Sequence, residues 1–168
     1  MVDYALNELM RPIYDAVQEA LASPSLWPDL REIESAGLTR TAGRIYLRHY
    51  ARKRGNQADG MDQWAAERWV NDIHIESSRP PSDPTWRADV LTQALLFVSC
   101  TLPSFAALAK QPVQAVIGLQ SAPGNADPGS DYPVGSIHLY QLARSEDDAR
   151  NAIEAFHQPV LVVTSGGT

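Results

Sequence analysis

Arg40, Arg44, Arg48 and Arg52 recur at four-residue intervals, and Lys53 and Arg54 follow at once. On an α-helix each four-residue step drifts by only about 40°, so the four guanidinium groups would form one stripe. A guanidinium makes forked contacts with carboxylate and phosphate alike. Residues 39–54 hold six basic side chains and no acidic one, while the rest of the chain holds 8 basic and 20 acidic residues. The stripe therefore predicts contact with an acidic protein surface, or with nucleic-acid phosphates. A solvated helix face predicts the same spacing, with the arginines paired to the chain's own acids; seven of these lie in residues 3–22 and the helix starting at Asp29.

The other chemistry-bearing residues are scattered. Cys100 could serve a nucleophile–base pair with His49, His74, His138 or His157. Its neighbours Phe97, Val98 and Ser99 instead read as the end of a buried helix, where a lone cysteine is a small hydrophobe. His49 falls on the apolar side of the arginine helix, as a core histidine would. No His-x-x-x-His or Cys-x-x-Cys spacing offers a metal site. Asn125, Asp127 and Asp131 only faintly suggest calcium ligation, because no glutamate ligand follows. Glu146, Asp147 and Asp148 open a predicted helix and there meet its macrodipole favourably. Gly166-Gly167 follows a strand but precedes no helix, so it lacks the setting of a phosphate loop. Trp64 points away from the stripe of Ala66, Trp69, Val70 and Ile73, which predicts a contact with another helix or an exposed anchor for a partner. The residues imply no cofactor.

The elements that must position these residues are those of one domain of 168 residues, 44% apolar and 20% charged. A single cysteine rules out an intramolecular disulfide, and no stretch resembles a signal peptide; both fit a cytoplasmic location. Residues 94–109 are apolar but shorter than a bilayer span, so a membrane partner is not expected. Twelve arginines against two lysines suggest a GC-rich genome, bacterial or phage.

Helical spacing predicts a first helix over residues 3–22, kinked or restarted at Pro12, and a second from Asp29 to Ala36 closed by Gly37. The arginine segment predicts a third over 39–54, and residues 62–74 a fourth. A fifth starts near Asp83 and is ended or bent by Pro103, with residues 104–110 resuming helix. Residues 113–119 and 136–142 are short, β-rich and flanked by Pro and Gly, and 160–164 has the same texture. A helix over 145–156 separates the last two. The fold expected is α+β: a helical N-terminal two-thirds, then a β-β-α-β segment forming a small sheet, with the first two strands paired antiparallel.

No nucleotide loop, nucleophile elbow or metal cluster accompanies this pattern. The function expected is a non-catalytic protein-binding or assembly protein (an inhibitor, immunity protein, adaptor or assembly component). Its partner would be another protein or a second copy of itself. Nucleic-acid or phosphate binding through Arg40, Arg44, Arg48 and Arg52 is the alternative. An enzyme whose site gathers distant residues is the third.

Overall fold

The computed structural model describes residues 2–19, 25–123 and 131–165. In chain order the elements are β1 (Val2–Leu6), α1 (Arg11–Glu19), α2 (Pro28–Ala36), β2 (Leu38–Thr41), β3 (Arg44–Leu47), α3 (Arg48–Arg54), α4 (Gln63–Val70), β4 (Asp72–Glu76), α5 (Trp86–Leu108), β5 (Val113–Pro123), β6 (Asp131–Gln141) and β7 (Val160–Ser165). Short 3-10 turns cover Gly55–Ala58, Ser145–Asp147 and Ala149–Ala155.

The α+β class is right, but the expected helical N-terminal two-thirds is not there. A strand comes first, a hairpin interrupts the helices, and β4 lies ahead of the longest helix. Five strands form one antiparallel sheet in the order β1-β7-β5-β6-β4, while β2 and β3 pair separately.

The largest correction falls on residues 39–54. Thr41 faces Arg44 across a two-residue turn in which Ala42 (φ 50°) and Gly43 (φ 85°) both take positive φ. Such a turn reverses the chain with the twist a hairpin needs. Thr39, Thr41, Ile45 and Tyr46 are strand-favouring residues, and their β preference prevails over the helical spacing. Helix begins only at Arg48.

Residues 62–74 divide in the same way. Asp62 caps α4 by accepting the N–H of Ala65 at 2.8 Å. Asn71 ends the helix, and Ile73 and Ile75 alternate with exposed His74 and Glu76 along β4. At the N-terminus, the restart expected near Pro12 is α1, but the residues before it form an edge strand. Asn7, 1% exposed, joins the two: its Oδ1 accepts the N–H groups of Met10 and Val160, each at 3.0 Å. Pro103 neither ends nor bends the fifth helix enough to interrupt it, and α5 runs through 23 residues. Pro103 and Ser99 are both exposed, so water can take the Ser99 carbonyl that Pro103 cannot serve. The expected helix over 145–156 is two 3-10 pieces, with Ala152 outside helical φ/ψ.

The strand expectations hold. β5 and β6 form the antiparallel hairpin, longer than predicted at both inner ends, and β7 joins the same sheet beside β5. Alternation sends Val113, Ala115, Ile117 and Leu119 of β5 into the main core, where they meet Trp86, Val90, Ala94, Phe97 and Phe105 of α5. Helix α5 lies so close over β6 that a Cβ at Gly135 would overlap Val90 Cγ1. It is the one described helix long and apolar enough to cross a membrane by length and composition, and half of its most apolar window is buried within the protein. On the sheet's other face Val116, Tyr140, Val160 and Val162 pack against Ile153 and Phe156.

Candidate functional site

The hairpin dismantles the arginine stripe. Residues facing each other across an antiparallel pair point to one side, and neighbours along a strand point to opposite sides. Arg40 faces Ile45, whereas Arg44 faces Thr41, so Arg40 and Arg44 project from opposite faces of the hairpin. Arg44 is half-buried and donates to the carbonyls of Ala58 (3.2 Å) and Met61, tying the hairpin to the turn before α4. Arg48 donates to the carbonyl of Leu38 at 3.0 Å, and Arg40, Arg48 and Arg52 are exposed. Among the described residues, none of the four pairs with a carboxylate. The arginines thus do not converge on one site. His49, expected in the core, is half-exposed at the start of α3, its Nδ1 3.6 Å from Glu32.

Trp64 makes an internal contact, though not with another helix, and Trp69 takes the exposed position. Trp64 is half-buried, edge-on to the Tyr140 ring with centroids 6.0 Å apart, and Arg68 lies over its indole. Its contact is therefore with the sheet rather than with another helix. Trp69, expected in the core, is 48% exposed.

Behind α4 lies a buried polar network that sequence reading missed. Glu67, with no exposed surface, accepts the backbone N–H of Ile45 (2.8 Å) and both the backbone and side-chain N–H of Gln141 (2.7 and 2.6 Å). Asn71, one helical turn on, accepts the N–H of Leu47 and donates to the carbonyls of Ile45 and Leu139. Two side chains thereby fill the gap between β3 and β6 as a strand's backbone would. Burial raises the Glu67 pKa, against the opposing pull of these hydrogen bonds.

A second polar group sits on the outer face of the sheet. Asp72 of β4 faces His138 of β6, and its carboxylate lies 3.2 Å from His74 Nε2 and 3.5 Å from His138 Nδ1. Burial lowers the His138 pKa, and the charges of Arg68 and His74 push the same way against Asp72. Asp72 and His138 border a shallow pocket of about 290 Å³ with Met61, Trp64 and Trp69. The alternation Asp72-Ile73-His74-Ile75-Glu76 was the legible signal for this strand, but nothing local places His138 opposite. On the same face Gln114 donates to Asp148 and Thr164 and accepts from Tyr140 and Ala149. Asp148 also pairs with Arg150, so its role is this anchorage rather than the helix macrodipole expected of it.

The third feature is the outer side of α5. From Val90 to Leu108 the helix carries no charged residue, and Ser99, Cys100, Pro103, Ser104, Ala107 and Leu108 are exposed along it. Cys100 thus lies on the surface, not in the core as expected. Grooves run along both flanks of this face. One, of about 250 Å³, lies between Leu95, Leu102 and Pro103 and the edge strand, where Val2 and Tyr4 are exposed. Another, of about 380 Å³, lies between Cys100, Ser104 and Leu108 and the Gly37–Leu38 bend.

No group of three His, Cys, Asp or Glu among the described residues is arranged to hold a metal ion. Asn125 and Asp127 lie outside the described residues, as do Gly166 and Gly167. No family model, curated protein or solved structure matches the chain.

Proposed function

We propose that this chain is a cytoplasmic, non-catalytic protein-binding or assembly protein whose contact surface is the charge-free face of α5 together with the edge strand β1. One observation carries the reading. In a chain that is 20% charged, a helix exposes a run of small and apolar side chains with no charge over most of its length. Contiguous apolar surface of this kind marks interaction sites, because water gains by its burial. Its exposed Ser, Ala, Cys and Pro are small, which lets a partner's backbone approach closely.

Placing charge at either end of the exposed face tests this. Ser99→Arg and Ala107→Arg should leave the melting temperature unchanged, since both sites are exposed. Self-association, followed by light scattering over a concentration series, or capture of a partner from the source cell, should be lost. Variants that associate as the parent does would refute the assignment.

Nucleic-acid binding keeps a narrower basis in exposed Arg48, Arg52 and Lys53 of α3. It requires an affinity that falls steeply with salt.

A further inference from the structure

We infer that the open edge of β4 binds an extended basic peptide as an added strand. The backbone comes first. Ser77 donates its N–H to the carbonyl of Pro133, which continues the β4–β6 register. Hydrogen-bonded pairs alternate along an antiparallel ladder, so Ile75 and Ile73 also bond to β6, while Asp72, His74 and Glu76 turn their N–H and C=O groups outward. Arg54 covers the outward carbonyl of Asp72 at 2.6 Å. Among the described residues no hydrogen bond reaches the outward groups of His74 or Glu76.

The contrast with the opposite edge is informative. At β1 the N–H of Tyr4 is taken by the Asp3 carboxylate at 2.9 Å, a device that blunts an exposed edge. The edge at His74 and Glu76 has no such cover.

Beside it lies a cleft of about 310 Å³ between β4 and α2, with Trp27, Leu30 and Ile33 on its helix side. A strand laid against β4 would send alternate side chains into this cleft and the others to the face of His74 and Glu76. The first row must be apolar to meet the half-buried Trp27 ring on the helix side. The second must be basic, because Glu76 on that face has no ion-pair partner among the described residues, and Asp29, equally unpaired, adds negative charge at the mouth of the cleft. Backbone hydrogen bonds would supply affinity, and the two rows specificity. The occupant is thus a segment alternating Lys or Arg with Val, Ile or Leu. This surface is separate from the α5 face, and neither proposal depends on the other.

The probe is an end-blocked peptide of alternating lysine and valine, titrated into the full chain and followed by calorimetry. Saturable binding is expected, weakened at least tenfold by Glu76→Lys with an unchanged melting temperature. The same peptide N-methylated on the amides that would face β4 should lose binding, and the glutamate–valine analogue should not bind. No saturation by the parent peptide overturns the proposal. So does equal binding of the N-methylated peptide, which would mean charge attraction without strand pairing. Equal binding by Glu76→Lys would place the peptide elsewhere, β1 included, and overturns it too.

Discussion

The Glu67 carboxylate receives both N–H groups that Gln141 can direct at it, backbone and side chain, at 2.7 and 2.6 Å across a fully buried gap. Glu67 belongs to α4 and Gln141 to the end of β6, so this bond fastens the helix to the main sheet. The third N–H, from Ile45, brings in β3. Every contact is a donor, so only a group with two acceptor oxygens satisfies the site.

Glu67→Gln should therefore destabilise the fold despite removing a buried charge. Its amide nitrogen would confront at least one of these donors and leave it unpaired, at a cost of about 1–3 kcal/mol. Glu67→Leu should cost more, since every donor to the carboxylate loses its acceptor, Gln63 included. Denaturant melts of both variants check this ordering, and a Gln variant as stable as the parent contradicts it.

Gly135→Ala tests how closely α5 approaches the sheet. The added Cβ would overlap Val90 Cγ1, and a β-branched valine on a helix has one favoured rotamer and little room to retreat. Overpacking of this kind costs about 1–3 kcal/mol. A second change, Val90→Ala, should return part of that loss in the double variant. Additive losses would argue that the close approach is not what matters at this position.

These elements show what the sequence made legible. The pairing of β5 with β6 followed from short β-rich runs adjoining across one loop, and α2 from Pro28, Asp29 and Gly37 at its ends. The β2–β3 hairpin was hidden because its turn is Ala42-Gly43, without the Asn or Asp that signals such turns, and its apolar residues share a helical spacing by coincidence. Trp64 and Trp69 were misassigned because periodicity within α4 does not say which side faces the sheet. Asp72 and His138 stand 66 positions apart, and only the cross-strand register brings them together. Cys100 has apolar neighbours in sequence, but these do not say which side of α5 meets the sheet, and the thiol falls on the exposed side.

The same correction divides the four arginines. Arg44→Ala should cost about 1–2 kcal/mol, because the Ala58 and Met61 carbonyls lose their donors. Arg40→Ala and Arg52→Ala should stay within about 0.5 kcal/mol, as exposed changes usually do. Thermal melts of the three single variants suffice. Equal losses would restore a common role for the group.

Asp148 sets an acid limit on stability. Its pKa is lowered to about 2, chiefly by hydrogen bonds from Arg150, with Gln114 adding to the effect. The folded form then holds the proton less tightly than the unfolded chain, whose carboxyl titrates near the ordinary aspartate value of 3.8. The stabilisation is present above that value and is lost as pH falls towards 2. Asp148→Asn should be less stable than the parent at neutral pH, with the difference narrowing across this acid window. Urea melts at several pH values read the difference directly, and a constant gap would mean that the carboxylate charge is not involved.

Cys100 offers a direct readout of the α5 face, because it is the only thiol and lies exposed there. A small maleimide should label it promptly in the native protein, without denaturant. Cys100→Ser should leave the melting temperature unchanged, the opposite of what a core cysteine would do. If a second copy covers α5, labelling should slow as protein concentration rises through the association range, and Ser99→Arg should restore the fast rate. A different partner would slow labelling only when added, leaving the concentration series flat. Should labelling stay fast in a complex shown by light scattering to have formed, the contact lies elsewhere. The β4 edge would then be the surface to probe next, since its cleft shares no lining residue with the groove at Cys100.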